Sequence, residues 1–235
     1  MPTPTPHTAP RLAWLFDIDG TLLLTEGASR EAFAHALLER HGRTDDLRDI
    51  RFDGRTEPLI LADILAKHGL RFSNGEEAGF WNAVFDRMRQ ILRPPRGRLL
   101  PGAERLVERV GGEPGWVMGL LTGNMTEMAR IKLERFGLGA RFAFGSFGEQ
   151  AANRDALARL AVAGVEREYG LPPERCIVIG DTEHDVACAR GAGARVIAVA
   201  TGTRTRAELA ALGPDLLLDD LTDAERVMAW ARALT

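Results

Sequence analysis

Four apolar runs along the chain lack the polar alternation of half-exposed strands, which is typical of strands buried on both faces. They are Leu12–Asp17, Trp116–Leu121, Cys176–Gly180 and Arg195–Ala200. Two weaker candidates of the same kind are Phe142–Phe144 and Leu216–Leu218. We therefore expect a sheet whose strands are largely hidden from solvent.

Amphipathic helical patterns separate the later apolar runs, and a glycine ends each of them. The patterns are Glu127–Phe136, Arg154–Tyr169 and Glu183–Arg190, followed by Gly137, Gly170 and Gly191. Helices commonly turn left-handed and stop at such glycines. The alternation of strands and helices predicts βαβ units, so we expect an α/β fold with a doubly wound parallel sheet, a Rossmann-like core.

The segment 26–97 breaks this rhythm, because it contains helical patterns and no strand-like run. The patterns are Ser29–His41, Glu57–His68 and Glu76–Leu92, with Ser29 and Asn74 as candidate N-caps. Crossover helices are usually short and single, so the pattern favours an inserted helical cap subdomain over helices that simply cover the sheet. We predict a disordered tail over 1–10, a catalytic core over 11–25 and 98–235, and the cap over 26–97.

Composition argues against several classes of partner. The formal net charge is -3, so no basic surplus indicates nucleic acid or an anionic membrane surface. No apolar run reaches the roughly 18–20 residues that span a bilayer. The two cysteines, Cys176 and Cys188, form no disulfide framework, and we expect a cytoplasmic protein with reduced thiols.

The first candidate for chemistry is the segment Asp17-Ile-Asp19-Gly20, at the end of the first apolar run. In open α/β sheets, ligands bind beyond the carboxyl ends of the strands. Two carboxylates placed together are costly unless a cation compensates them, and Mg²⁺ is the usual cation of phosphate chemistry. Taken alone, the motif is also compatible with a solvated turn.

Two further motifs end later apolar runs. Thr122 and Gly123 offer a hydroxyl and a backbone amide that can bind phosphoryl oxygens, although a simple turn has the same pattern. Asp181 follows the third run, and Asp185 comes at the start of the next helix, where the dipole also favours an acid. We expect the intervening His184 to lie at the surface or behind the site rather than to take part in catalysis.

The ordered set of motifs is more specific than any one of them. Asp-x-Asp-Gly-Thr, Thr-Gly and Gly-Asp-x-x-x-Asp each end an apolar run. In this order the chain resembles the haloacid dehalogenase superfamily, specifically phosphatases of the phosphoglycolate phosphatase kind with a helical cap inserted after the first strand. The resemblance covers nearly the whole chain. It implies a Mg²⁺-dependent phosphatase that hydrolyses a small phosphomonoester through an aspartyl phosphate.

The resemblance also implies roles for the aspartates. Asp17 would be the nucleophile, and Asp19 would be the general acid and base. The Asp17 carboxylate, the Asp19 backbone carbonyl and Asp181 would hold Mg²⁺, and Asp185 would support them from behind.

The phosphate contacts include a departure from the family pattern. The Thr122 hydroxyl and the Gly123 amide are implied to hold the phosphoryl group, together with a basic residue that is commonly lysine. Lys132 lies about two to three turns inside the helix after Thr122, which predicts a position away from the catalytic edge. We expect Arg154, which opens the following helix, to bind the phosphoryl group instead.

Substrate selection is expected to come from the cap, through Arg55 and Thr56 in a turn between its helices, although an exposed loop has the same composition. The expected partner is a small phosphorylated metabolite, and neither nucleic acid nor a membrane is expected. A phosphosugar mutase of the same superfamily stays open as an alternative. A phospho-accepting receiver module needs neither a cap nor two apposed aspartates, and a dehalogenase needs no Mg²⁺ site, so both are weaker alternatives.

Overall fold

The computed structural model describes residues 10–235. The predicted disordered tail over 1–10 lies, apart from Pro10, outside the described residues. The strands are β1 (Leu12–Phe16), β2 (Leu23–Leu24), β3 (Arg98–Leu99), β4 (Trp116–Leu121), β5 (Phe144–Ser146), β6 (Cys176–Gly180), β7 (Arg195–Val199) and β8 (Leu216–Leu218). The helices are α1 (Ala28–His41), α2 (Glu57–His68), α3 (Glu76–Ile91), α4 (Ala103–Gly111), α5 (Thr126–Arg135), α6 (Arg154–Tyr169), α7 (Glu183–Gly191), α8 (Arg206–Ala211) and α9 (Ala224–Arg232). Within residues 10–235, no helix combines the length and apolar character needed to cross a membrane.

Six strands form one parallel sheet in the order β5-β4-β1-β6-β7-β8. The central strand β1 is buried along its whole length, because its neighbours β4 and β6 cover its edges and helices cover both faces. Since β4 and β5 lie on one side of β1 and β6 to β8 on the other, the strand order reverses beside β1. The prediction of a doubly wound parallel sheet is confirmed.

The predicted strands occur with small shifts at their ends. β4, β6 and β8 have the predicted bounds, and β1 and β7 end one residue earlier than predicted. The weak candidate Phe142–Phe144 is wrong in position, because β5 spans Phe144–Ser146. Its register follows pairing with Gly119–Leu121 of β4, which a run of three residues does not reveal.

Helices α1, α2 and α3 lie between the short strands β2 and β3, which pair antiparallel where the chain leaves and re-enters the core. We call residues 28–91 the helical insertion. It packs an apolar cluster of its own, around Phe33 and Phe80. Met128 and Ile131 of α5 belong to the same cluster, so the insertion is seated on the core through this helix.

Several helix ends differ from the predicted ones. α1 begins after Gly27 and α3 after Gly75, and neither glycine provides a side-chain cap, so the N-caps predicted at Ser29 and Asn74 are wrong. Both glycines have a positive φ, which lets the chain turn sharply into each helix. Gly191 is the last residue of α7, so the helix ends at the predicted glycine, but Gly191 does not have the positive φ of a left-handed helix end.

Candidate active site

The loops after β1, β4 and β6 carry the three motifs, and parallel pairing brings them to one edge of the sheet. Asp17 follows β1 directly, and its backbone amide still donates to the carbonyl of Ile179 in β6 at 3.0 Å. Only 7% of Asp17 is exposed. Thr122 and Asp181 follow the two neighbouring strands and are also buried. The motifs therefore meet in a crevice at the carboxyl ends of the strands, where this class of sheet binds ligands.

Three carboxylates meet in this crevice. One oxygen from each of Asp17, Asp181 and Asp185 lies within 4.8 Å of the others. Burial raises the pKa of Asp17 to about 6, with Arg154 acting against the shift and Asp185 adding to it. Burial, followed by repulsion from Asp185, also holds the pKa of Asp181 well above its usual range. Crowded, buried carboxylates of this kind favour the binding of a divalent cation.

Asp185 and Asp181 differ in how many of their carboxylate oxygens accept hydrogen bonds from the protein. Asp185 uses both oxygens within the protein, since Oδ2 accepts from the Thr182 amide at 3.0 Å and hydroxyl at 2.7 Å and Oδ1 accepts from Arg154. Asp181 uses Oδ1 for the Thr21 hydroxyl at 3.2 Å and keeps Oδ2 without a hydrogen bond among the described residues. The oxygen donors of this crevice fit Mg²⁺, which takes carboxylate and carbonyl ligands.

Arg154 lies where the sequence predicted a cation. It is the first residue of α6 and is only 6% exposed. One terminal nitrogen lies 3.2 Å from Asp17 Oδ1, contacts Asp185, and donates to the Leu121 carbonyl at 3.3 Å. Burial opposes its charge, yet Asp17 and Asp185 hold the pKa of Arg154 well above its usual value. The guanidinium thus connects the nucleophile candidate with the carboxylate behind it.

Lys132 also lies in the site, so the expectation that it points away from the catalytic edge is wrong. It is 1% exposed, and its ammonium donates to Asp19 Oδ2 at 2.7 Å and to Asn124 Oδ1 at 2.5 Å. Helical side chains lean toward the N-terminus of their helix. A lysine about 9 Å along α5 therefore reaches back over the first turns to the loop after β4.

Asn124 was missed by the sequence reasoning, although it directly follows the Thr-Gly pair. Its amide nitrogen donates to Asp19 Oδ2 at 2.8 Å and to the Thr122 hydroxyl oxygen at 2.7 Å. Asp19 Oδ2 thus accepts from both Asn124 and Lys132, whereas Oδ1 has no hydrogen bond among the described residues. The Asp19 side chain is 41% exposed and lines the cavity above the crevice.

The turn that precedes α2 lies against the loop after β4. A Cβ added to Gly123 would lie only 2.1 Å from the Arg55 carbonyl oxygen, so glycine permits this approach. Arg55 lines the cavity, and its guanidinium pairs with Asp63, which compensates its charge. Thr56 is 1% exposed and does not line the cavity. Of the two residues predicted to select the substrate, only Arg55 therefore reaches the cavity.

Glu57, the first residue of α2, is a second residue that sequence reasoning missed. Its amide donates to the Gly123 carbonyl at 2.8 Å, and its Oε2 accepts from the Met125 amide at 2.8 Å. Burial raises the pKa of Glu57 to about 7, while Lys132 acts in the opposite direction. An acid at a helix start is an ordinary pattern, so nothing in the sequence marks it.

A cavity of about 400 Å³ lies between the helical insertion and the crevice. Core side chains on its wall include Asp17, Asp19, Thr122, Lys132 and Asp181. Insertion side chains on its wall include Arg30, Phe52, Arg55, Glu57 and Ile60. The wall of the cavity that contains Asp17 is therefore formed by both parts of the chain.

This chain combines a Rossmann-like sheet, an aspartate-rich crevice and a helical insertion above the crevice. Together these features indicate an α/β enzyme with an inserted helical subdomain. The model of the haloacid dehalogenase-like hydrolase family matches residues 14–190, and the chain belongs to this family. It is 27% identical over 221 residues to the protein described as "Probable phosphatase IndB" of Dickeya dadantii, which covers 94% of this chain and 93% of the relative.

Other relatives agree with this assignment. The chain is 30% identical over 197 residues to a phosphoglycolate phosphatase of Cereibacter sphaeroides, over 81% of this chain and 85% of the relative. The crystal structure of CbbY from Rhodobacter sphaeroides in complex with phosphate superposes with a TM-score of 0.71 at 26% identity, over 90% of this chain and 95% of that one. The resemblance recognised in the sequence and the interpretation of the chain as a phosphatase are confirmed.

Proposed function

We propose that the chain is a Mg²⁺-dependent phosphatase that hydrolyses a small phosphomonoester through an aspartyl phosphate on Asp17. The observation that carries the proposal is the position of Asp17, buried in the crevice and 3.2 Å from the Arg154 guanidinium. A buried carboxylate with a fixed cation beside it is suited to attack an anionic phosphoryl group. When bound, Mg²⁺ would neutralise charge on the phosphoryl oxygens, with Asp17, the Asp19 carbonyl and Asp181 as its protein ligands.

The first chemical step is attack by an Asp17 carboxylate oxygen on phosphorus. The bond between phosphorus and the leaving oxygen breaks, and Asp19 gives its proton to that oxygen. In the second step, a water molecule attacks the same phosphorus while Asp19 takes the water's proton. The acyl phosphate bond then breaks, which releases inorganic phosphate and restores the Asp17 carboxylate.

Three further residues hold the phosphoryl group in this proposal. Thr122 and the Gly123 amide lie at the end of β4, beside Asp17 at the end of β1. Arg154 spreads its charge over the Asp17 carboxylate and the phosphoryl oxygens, and Asp185 holds Arg154 in place from behind. A guanidinium can donate to two oxygens at once, which suits it to this role.

The proposed division of the chain assigns residues 11–25 and 98–235 to the catalytic core and residues 26–97 to a cap. The separate apolar cluster of the helical insertion supports this division. So does the antiparallel pair of β2 and β3, which brackets the insertion. We further propose a small phosphorylated metabolite as the substrate, since relatives are named for phosphoglycolate.

Phosphate release from an aryl phosphate tests the proposal, with Mg²⁺ present and again with excess chelator. We expect turnover with Mg²⁺, none with chelator, and none in Asp17→Asn, because an amide is a very poor nucleophile. The control Asp86→Asn changes an exposed aspartate in the same way and should keep full turnover. If the enzyme isomerised a hexose monophosphate without releasing inorganic phosphate, the result would instead indicate the mutase.

A further inference from the structure

Three cations line the wall of the cavity, and they differ in how their charge is compensated. Arg55 pairs with Asp63, and Lys132 lies 2.7 Å from Asp19. Arg30, in α1, has no carboxylate within 4.0 Å among residues 10–235. Arg30 is therefore the one cation on this wall whose charge the described part of the chain leaves unbalanced.

The guanidinium of Arg30 is held in place although it lacks a counter-charge. One terminal nitrogen donates to the Ile50 carbonyl at 2.9 Å and also to the Leu47 carbonyl. The guanidinium carbon lies 4.4 Å from the centre of the Phe52 ring, which adds a cation–π contact. The other two nitrogens donate to no protein atom among the described residues. Two donors of a residue on the cavity wall are thus left without a protein acceptor within the part of the chain that the structure describes.

A half-buried cation without a counter-charge loses part of its hydration and gains no ion pair in return. An anion that enters the cavity would restore that balance. Arginine stays charged under all ordinary conditions, and its planar fork matches a carboxylate or a phosphate with two parallel hydrogen bonds. An uncharged leaving group would not compensate the charge of Arg30.

We propose that Arg30 binds a second anionic group, a carboxylate or a second phosphate, on the leaving-group side of the substrate. The proposal rests on the function proposed above, because it concerns the same cavity. It moves the selection of substrate from Arg55, whose charge Asp63 compensates, to Arg30 in the first helix of the insertion. The phosphoryl group that reacts at Asp17 is bound separately, by Arg154 and the loop after β4.

The test compares substrates that differ only in the second anion. One pair is 2-phosphoglycolate and 2-hydroxyethyl phosphate, and the other is a pentose bisphosphate and the matching pentose monophosphate. In one of the two pairs, we expect kcat/KM to be at least about 10-fold higher for the substrate that carries the second anion. A preference in the first pair would indicate a carboxylate, and a preference in the second pair would indicate a phosphate. Arg30→Met should remove this preference mainly by raising KM for the substrate with the second anion. The kcat/KM values for the neutral member of the pair and for phenyl phosphate should change by less than about 2-fold. Arg30→Lys should restore part of the preference.

Other variants separate binding from structural support. Arg43→Met removes an exposed arginine just after α1 and should leave the preference unchanged. An equal loss for both members of each pair in Arg30→Met, or loss of the preference in Arg55→Met instead, would overturn the role of Arg30. If Arg30→Met does not fold, the test uses the ratio of kcat/KM values within each pair, compared between the wild type and Arg30→Lys. No preference in the wild type with normal phenyl phosphate turnover refutes this inference alone, whereas no turnover of any phosphomonoester refutes the proposed function as well.

Discussion

Lys132 and Asp19 form an ion pair between α5 and the loop after β1, with 2.7 Å between Nζ and Oδ2. Asn124 donates to the same oxygen at 2.8 Å. Two donors therefore hold Oδ2 of Asp19 as an acceptor, which leaves Oδ1 as the oxygen for the proton exchange proposed above. Nearly all of Lys132 is buried, whereas the Asp19 side chain is 41% exposed toward the cavity.

Replacement of Lys132 by methionine should reduce turnover of alkyl phosphates more than turnover of aryl phosphates. Misplacement of the acid matters most when the leaving group is poor and needs a proton. We expect a loss of about 10²-fold for an alkyl phosphate, within the range for general acid–base catalysis. Initial rates of phosphate release with the two substrate types measure the difference.

The control for this variant is the other lysine of the chain, since Lys67 and Lys132 are the only two. Lys67 pairs with Asp45 and Asp49 at the surface of the insertion, so Lys67→Met should keep normal turnover. An equal loss for alkyl and aryl phosphates in Lys132→Met would assign Lys132 to general support of the fold.

Arg154→Ala should lower kcat/KM by about 10²–10³-fold, the usual effect of removing one preorganised donor. Arg154→Lys should recover part of the loss, because an ammonium does not reproduce the planar fork. Arg159→Ala, which removes an exposed arginine from the same helix, is the matched control. Steady-state kinetics with one aryl phosphate are sufficient, and near-normal values for Arg154→Ala would exclude Arg154 from the reaction.

The same variant should also unfold more easily. Loss of Arg154 leaves Asp17 and Asp185 buried without their cation, and breaking such a contact costs about 3–5 kcal/mol. We expect the free energy of unfolding in chelator to fall by this amount, and Mg²⁺ to offset part of the loss. Urea titrations with and without Mg²⁺ measure both effects, and an unchanged midpoint in chelator would contradict the structure.

Mg²⁺ should stabilise the folded chain through the carboxylate cluster even without substrate. A ligand at about 100 times its Kd adds about 2.7 kcal/mol to the free energy of unfolding when it binds only the folded state. Thermal unfolding in increasing Mg²⁺ should therefore show a rising midpoint in the wild type and little change in Asp181→Asn. Asp219→Asn changes an exposed aspartate and should respond like the wild type. A rise that persists in Asp181→Asn would place the ion elsewhere.

Glu57 should make the folded state less stable as pH rises from about 4.5 to about 7. Burial raises its pKa from 4.5 to about 7, so the folded state holds a proton that the unfolded state has already lost in this window. Glu57→Gln keeps an acceptor for the Met125 amide and removes the titration. Relative to the wild type, the variant should gain at most about 3 kcal/mol across the window. The exposed Glu104→Gln, also in the first turn of a helix, should show no such gain in denaturant titrations at several pH values.

The main strands could be predicted from sequence because burial on both faces leaves only apolar residues in them. β4, β6 and β8 match their predicted bounds for this reason. The two-residue strands β2 and β3 could not be found, since they are too short to show a period, and they form only where the chain leaves and re-enters the core. The caps at Gly27 and Gly75 depend on backbone direction rather than on a polar side chain.

The sequence by itself determined which residues follow the strands, and parallel strands bring such residues to one edge of the sheet. Asp17, Thr122 and Asp181 could therefore be placed together before the structure was known. Only the tertiary structure decided which charges meet, because this depends on the length and direction of side chains from elements distant in the chain. Lys132 reaches Asp19 by leaning back along α5, and Arg30 is left without a counter-charge on the cavity wall because no carboxylate of the described chain comes near it.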